Sequence, residues 1–286
     1  MQLITQKNIK LQNMMKVFQE IYHQSSISRQ MLSSKTGISL MTVGKIVDQL
    51  VRCDIASEEK EDTSKVGRKG NIVSLSPDHK KMVLIDLEQH DFRIGLLQMD
   101  LKLENDFYQH RYDHNQSYEE NLRNAVASFL RERLEDAMSN AIGVGVCVPG
   151  TYYEEWDQVL HSRIPELSSA KLKATLLPFF SDQILSIDED VRYAVQFEGS
   201  LALQEDHIFY ARIGEGVSSA IFYNGHVLDS AYSYAGKIGR MYTKSGKMIE
   251  EAVGIGSLCR LFTKPDGSVP SFEEIAANHQ IGRAHV

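Results

Sequence analysis

The 286-residue chain is 42% hydrophobic and 24% charged, which is the composition of an ordinary globular protein, and it is long enough for two domains. No apolar run approaches the about 20 residues of a membrane span, and the N-terminus lacks the apolar core of a secretory signal, so the sequence predicts a cytoplasmic protein without a membrane partner. Cys53, Cys147 and Cys259 form no Cys-x-x-Cys pair, which argues against a disulfide framework and a thiolate zinc site.

Charge is distributed unevenly along the chain. Residues 1–80 contain 12 Lys/Arg and 8 Asp/Glu, whereas the remaining residues contain 19 and 30, and the whole chain carries a formal charge of −7. A basic front and an acidic remainder are typical of a polyanion-binding head on a body that does not touch the polyanion.

The first 53 residues predict three helices. Residues 5–23 have apolar positions on one helical face. Ser28 is predicted to cap a short helix that ends at Thr36, Gly37 supplies the turn, and Ser39 caps a helix that runs to about Cys53. This is a helix-turn-helix pattern, and its second helix is predicted to enter the major groove of DNA. The residues predicted to contact DNA are Ser39, Leu40, Met41, Thr42 and Lys45. A helical hairpin used only for packing is the alternative.

Residues 55–75 are predicted to form a strand, a polar loop and a second strand. The loop tip carries Lys65, Arg68 and Lys69 around two glycines, which suits contact with phosphates or the minor groove. A solvated basic loop is the alternative, but a position directly after a helix-turn-helix favours a wing.

Strands and helices alternate after Ser76-Pro77. Two strands joined by a tight turn are predicted over 81–104, a helix over 117–139, and a buried strand over Ala141–Gly150. A strand over Ile184–Asp190 leads into a helix through 204, and a strand pair follows over 207–230. This order predicts an α/β domain with a mixed sheet.

With these elements in place, the chain resembles the repressor branch of the ROK family (repressors, open reading frames and kinases), which includes xylose and N-acetylglucosamine repressors. The wing end VGRKGNIVSLSP is similar to that branch's Gly-Gly-Arg-Arg-Pro…Leu-Asn-Pro junction. The resemblance implies an actin-like (ribonuclease H-like) sugar-kinase fold of two lobes, with ATP and sugar bound between them.

The residues that match the family's phosphate loops depart from its pattern. Asp86 keeps the acid of Asp-x-Gly-Gly-Thr, but Glu88 and Gln89 replace the glycines that let the backbone wrap phosphates. Gly214 and Gly216 keep two glycines of the second loop, while Glu215 replaces its hydroxyl residue. Carboxylates at these positions repel a nucleotide, and Gly-Glu-Gly alone is also a common hairpin turn.

The sugar-binding motifs depart further. Asp190 matches the family's general base, but Glu189 and Arg192 replace two asparagines, and capping of the next helix is an equal alternative for Asp190. Lys237 and Arg240 replace the Glu and His of Gly-Glu-x-Gly-His, and the family's zinc cysteines are absent, so neither a metal nor a cofactor is predicted. Asp190 is therefore interpreted as a vestigial base, and no catalytic residue is predicted.

Arg163 stands where the family often has an Asn before Leu/Ile-Pro. With Arg192, Lys237 and Arg240 it would give a cationic pocket, so the sequence predicts an effector that is a sugar or, if these residues converge, a sugar phosphate or sugar acid. Glu189 and Asp190 complete the predicted effector set.

The sequence therefore predicts a winged helix-turn-helix domain over 1–76 and a ROK-type domain over 77–280. We expect its second lobe to be incomplete and its surface apolar, because family repressors are about a hundred residues longer by that resemblance. Residues 281–286 resemble translated sequencing adapter and are expected to be non-native.

Three functions fit these observations. The first is a homodimeric regulator, more specifically a repressor of carbohydrate genes, that binds an operator duplex and senses an effector through its ROK domain. The second is an ATP-dependent ROK sugar kinase, which would not need residues 26–75. The third is a DNA-binding protein that does not sense a ligand and keeps the lobe only for dimerisation.

Overall fold

The computed structural model describes residues 6–60, 71–88, 91–202, 205–214, 216–230 and 233–279. The chain divides into two compact units, Met1–Glu189 and Asp190–Val286. The first unit contains two separate hydrophobic cores, one formed by residues up to Leu75 and one that begins at Val83. The domain boundary predicted at residues 76 and 77 lies between these cores. No described helix is long and apolar enough to span a membrane.

The N-terminal part of the first unit has three helices and a three-stranded sheet. The elements are α1 (Gln6–Gln24), β1 (Ile27–Ser28), α2 (Arg29–Thr36), α3 (Leu40–Arg52), β2 (Ala56–Lys60) and β3 (Asn71–Leu75). The strands are antiparallel in the order β1-β3-β2, and β1, of two residues, was not predicted. The helix-turn-helix and the paired wing strands are confirmed, while the predicted wing-tip residues Lys65, Arg68 and Lys69 lie outside the described residues.

Local side-chain contacts set the helix boundaries as the sequence predicts. Ser28 Oγ accepts a hydrogen bond from Met31 N at 3.3 Å and so caps α2, and Gly37 ends that helix with φ of +69°. A glycine is favoured there because this left-handed conformation crowds a Cβ. The core under the helices consists of Val17, Ile21, Ile27, Leu32, Val43, Ile46, Val47, Leu50, Ala56 and Val73.

The rest of the first unit is a mixed five-stranded sheet with a helix against it. Its elements are β4 (Lys81–Leu87), β5 (Asp91–Gln98), β6 (Tyr108–Arg111), α4 (Tyr118–Asn140), β7 (Ala141–Val148), β8 (Thr151–Tyr153), β9 (Gln158–Leu160), α5 (Leu172–Leu176) and β10 (Ile184–Glu189). The order is β10-β7-β4-β5-β6, in which β10, β7 and β4 are parallel and the other pairs antiparallel. The mixed sheet was predicted, whereas the β8–β9 hairpin was not.

One strand at the edge of this sheet was not predicted from the sequence. His110 lies on this strand, β6, and its ring stacks on that of Phe92 with centroids 6.4 Å apart. An edge strand with alternating half-exposed residues resembles a loop in composition, because only one of its sides is paired.

The second unit contains α6 (Asp190–Phe197), a π turn (Glu198–Ala202), β11 (His207–Ile213), β12 (Val217–Tyr223), β13 (His226–Val227), α7 (Ile249–Val253), α8 (Ile255–Arg260) and α9 (Phe272–His279). The strands form one antiparallel sheet in the order β11-β12-β13. Val191 and Val195 of α6 join Ala220 and Phe222 of β12 in a small core.

The surface of the second unit is rich in apolar side chains. Phe209, Ile213 and Tyr223 are 53%, 58% and 52% exposed, and Leu261 is 78% exposed. The expectation that the second lobe is incomplete stays a prediction. The expected tail at 281–286 lies outside the described residues.

Candidate nucleic-acid interface and residues of the kinase motifs

Helix α3 presents a short apolar and cationic surface at its N-terminal end. Ser39 caps the helix by accepting a hydrogen bond from Thr42 N at 3.3 Å, and the hydroxyls of Ser39 and Thr42 lie 2.9 Å apart. Leu40 and Met41 are 49% and 72% exposed, and Lys45 is exposed one turn later. The five residues predicted from the sequence therefore lie together at the start of α3, with the helix anchored from behind by its buried face.

The exposed face of α3 also carries an acidic residue that the sequence reasoning missed. At 100° per residue, Met41, Lys45 and Asp48 point in similar directions, opposite the buried side. Asp48 Oδ1 accepts a hydrogen bond from Arg29 Nη2 at 2.6 Å. A carboxylate on a face predicted to meet phosphates is unfavourable unless a cation neutralises it, and Arg29 supplies that cation.

The first phosphate-loop motif is occupied by an ion-paired cluster. Asp86 is the next-to-last residue of β4, and Arg93 of β5 lies directly opposite it in the sheet register. Arg93 Nη2 donates to Asp86 Oδ2 at 2.5 Å and also to the Glu88 carboxylate. Burial lowers the pKa of Arg93, but Asp86 and Glu88 outweigh this effect and raise it overall. Gln89 of the same motif lies outside the described residues.

The second phosphate-loop motif lies in the turn between β11 and β12. Gly214 N donates to Gly216 O at 2.8 Å, so the two glycines close a hairpin whose last strand pair is Ile213 and Val217. Gly214 O accepts a hydrogen bond from Ile255 N at 2.7 Å, which ties the turn to the start of α8. The hairpin turn considered for this sequence is present, and Glu215 lies outside the described residues.

Asp190, at the position of the family's base, has two anchoring contacts. Its Oδ1 accepts a hydrogen bond from Val191 N at 2.7 Å at the start of α6, and its Oδ2 is ion-paired with Arg212 of β11. Glu189 is 7% exposed at the end of β10. These contacts suit the helix-anchoring alternative for Asp190, while its role in sugar binding stays a prediction.

The predicted cationic effector residues are divided between the two units. Arg163 is exposed in the first unit, before a 3-10 turn at Pro165–Ser168. In the second unit, Arg192 Nη2 lies 3.9 Å from Asp229 Oδ2, and Arg240 Nε lies 3.7 Å from Glu250 Oε1. Carboxylates therefore accompany Arg192 and Arg240, and the convergence of the four cations on one ligand stays a prediction.

The segment around Lys237 keeps a constrained backbone although its side chains differ from the family motif. Gly236 has φ of +78°, and a Cβ on Gly239 would lie 2.0 Å from Val217 O, so both positions require glycine. Ser219 Oγ donates to Gly236 O at 2.7 Å and accepts from Ile238 N at 2.9 Å. β12 thus holds this segment in place. In the described part of the chain no three His, Cys, Asp or Glu side chains are grouped as a metal site.

Comparison with known proteins identifies a family model and curated relatives that match this chain. The model of the ROK family matches residues 82–263. The xylose repressors of Bacillus spizizenii and Bacillus subtilis are 24% and 23% identical over 246 residues, which cover 84% of this chain and 63% of theirs. The chain thus spans less than two thirds of the length of these relatives.

Two solved structures illustrate the range of proteins with this fold. A ROK family transcriptional regulator, a homologue of the E. coli MLC protein, has a TM-score of 0.72 at 16% identity, covering 96% of this chain and 74% of that one. The ROK hexokinase of Thermus thermophilus has a TM-score of 0.54 at 15% identity, covering 71% and 70%. The fold is therefore a winged helix-turn-helix joined to an actin-like ROK fold. Because the family model matches more than half of its residues, the chain belongs to the ROK family.

Proposed function

We propose that the chain is a DNA-binding transcriptional regulator, acting as a repressor, that reads an operator with helix α3. The observation that carries this proposal is the exposed start of α3 on a helix-turn-helix that has its own hydrophobic core and a paired wing. The positive formal charge of residues 1–80 adds the electrostatic attraction that binding to a polyanion requires.

Each predicted contact has a chemical role in this proposal. Leu40 and Met41 are exposed apolar side chains that suit a thymine methyl group, while Thr42 and Lys45 suit base edges and phosphates. Lys65, Arg68 and Lys69 of the wing tip are proposed to contact backbone phosphates or the minor groove. Two copies in a homodimer would read two half-sites.

The ROK domain is proposed to act without phosphoryl transfer. A kinase needs closely approaching backbone amides for the phosphates and a free base for the sugar hydroxyl. Here the carboxylates of Asp86 and Glu88 are held by Arg93 at one motif, and Asp190 is ion-paired with Arg212 at the other. This arrangement supports an effector-sensing and dimerisation module rather than an enzyme, and the effector class we propose is a sugar or a sugar phosphate.

The comparisons support a role in carbohydrate metabolism. The curated relatives are named xylose repressors, so operators near genes for pentose uptake or glycoside breakdown are the first to test. A cytoplasmic location is proposed with this role, because a regulator of this kind must reach chromosomal DNA.

The decisive experiment selects duplexes that bind the purified full chain from a random library and measures their affinity by fluorescence anisotropy. We expect a selected sequence to bind at least about 10³-fold tighter than random duplex. Absence of any selected sequence refutes the proposal.

The alternative, an ATP-dependent sugar kinase, predicts ADP release with a hexose and pentose panel at an ordinary turnover of about 1–100 per second. Repeating the anisotropy with the same sugars and their phosphates separates an effector-sensing regulator from one that ignores ligands.

A further inference from the structure

Arg29, the first residue of α2, joins three elements of the N-terminal winged helix-turn-helix (α1 to β3), which we call the head. Its Nε donates to Glu58 Oε1 at 2.8 Å and its Nη2 to Glu58 Oε2 at 2.7 Å, a two-pronged bond to strand β2 of the wing. Nη2 also donates to Asp48 Oδ1 at 2.6 Å, on α3. One guanidinium thus links α2, α3 and the wing with the fixed fork geometry that only arginine provides.

Helix α3 has a gap at the place where this guanidinium crosses it. Gly44 lies in the middle of α3, where glycine is less favourable than alanine. A Cβ on Gly44 would come within 3.4 Å of Arg29 Nη1, and this nitrogen also lies 3.4 Å from Gly44 O. A side chain longer than alanine at this position would push Arg29 away from Asp48 and Glu58.

The contacts also remove negative charge from the surface proposed to meet DNA. Asp48 lies on the same side of α3 as Met41 and Lys45, and its side chain is 55% exposed. Without a counter-ion this carboxylate would repel the phosphate backbone. The side chain of Arg29 is only 28% exposed and is already engaged with two carboxylates, so it is poorly placed to bind a phosphate itself.

We propose that Arg29 is a positioning residue that fixes the wing strand β2 against the reading helix α3 and masks Asp48, and that it does not contact DNA. This inference rests on the proposed DNA-binding function. It makes an unusual prediction: removing a negative charge from Glu58 should weaken DNA binding, although the electrostatics of a polyanion alone would strengthen it.

The test compares Arg29→Met, Glu58→Gln and the double variant with wild type, in the full chain. Glu59→Gln is the matched control, because Glu59 is the adjacent exposed residue of β2, carries the same charge and accepts none of the hydrogen bonds that Arg29 donates to Glu58, Gly44 and Asp48. Binding to the duplex selected by wild type is measured by anisotropy. Hydrogen exchange of the DNA-free protein is followed over β2 and α3.

We expect Arg29→Met and Glu58→Gln each to weaken binding, Arg29→Met by roughly tenfold, and the double variant to lose no more than Arg29→Met, as is typical of coupled neighbours. Exchange should accelerate in β2 while the buried half of α3 stays protected, which distinguishes a displaced wing from an unfolded head. Glu59→Gln should bind at least as tightly as wild type.

Tighter binding by Glu58→Gln, additive losses in the double variant, or unchanged exchange in β2 each overturns the positioning role. A phosphate contact by Arg29 would instead make the negative slope of log affinity against log salt shallower by about 0.9 in Arg29→Met and leave Glu58→Gln unimpaired. Wild-type protein that selects no duplex refutes the proposed function itself, and the exchange measurement still decides whether Arg29 holds β2 to α3.

Discussion

Leu32→Ala should unfold the N-terminal winged helix-turn-helix, the head, while leaving the ROK-type domain folded. Leu32 is 0% exposed and packs in the separate core of the head. Truncation of a buried leucine costs about 2–5 kcal/mol, whereas the core of a domain below about 70–80 residues supplies only about 3–5 kcal/mol. The substitution therefore removes most of the stability of the head, and the proposed sequence-specific DNA binding should be lost with it.

The chain offers separate optical signals for the two parts. Far-UV circular dichroism at 25 °C should lose the contribution of α1, α2 and α3. Trp156, the one tryptophan of the sequence, lies in the turn between β8 and β9, so its fluorescence reports the part of the first unit that follows the head. We expect the midpoint of the Trp156 transition to stay at its wild-type temperature. A matched fall of the fluorescence and dichroism midpoints would refute the separation of the cores. Met31→Ala, at the 52% exposed neighbour, is the control and should change stability by less than about 0.5 kcal/mol.

Three further changes test single interactions. Lys45→Ala should make the negative slope of log affinity against log salt shallower by about 0.9, which corresponds to a several-fold weaker complex, because one phosphate contact is lost. An unchanged slope in anisotropy titrations would remove Lys45 from the interface. Gly44→Ala should raise the free energy of unfolding by roughly 0.5–1 kcal/mol in urea titrations, because alanine is favoured over glycine inside a helix. The added Cβ meets Arg29 Nη1 at the ordinary contact distance of 3.4 Å, so no clash offsets this gain. Hydrogen bonds from the backbone and side chain of Ser117 lower the pKa of Glu120 in the folded chain. Glu120 therefore stabilises the fold above its unfolded pKa and loses this effect as pH falls through the lower folded value, so the melting temperatures of wild type and Glu120→Gln should differ at pH 7 and converge in acid.

The winged helix-turn-helix could be predicted from the sequence because its determinants are local. The cap at Ser39, the turn at Gly37 and the apolar spacing of α3 each act within a few residues, and all three are present in the structure. Strands β1 and β6 were missed because a short or edge strand is defined by its partner. Ile27 and Ser28 pair with β3 more than 40 positions away, and nothing within those two residues indicates the pairing.

The kinase motifs illustrate the same limit at the level of chemistry. The sequence indicated that Glu88 and Gln89 replace glycines and that Asp190 survives, but it gave no partner for the carboxylates. Arg93 could have been found, because Asp86 and Arg93 stand at equal distances from the β4–β5 turn and a hairpin register pairs them. Arg212 could not, since it reaches Asp190 from a strand that begins only after α6 and the π turn.

These two arginines change how the substitutions should be understood. A carboxylate at position 88 next to Asp86 would be repulsive by itself, and it becomes favourable only with Arg93 between the two. Glu88 and Arg93 therefore act together, since Arg93 joins both carboxylates at the position where the sequence predicts a vestigial phosphate loop. Restoring glycine at position 88 alone would leave Arg93 paired with Asp86, and a nucleotide would still have to break that ion pair. We therefore expect no phosphoryl transfer from wild type or from Glu88→Gly. Phosphoryl transfer by Glu88→Gly would contradict this interpretation.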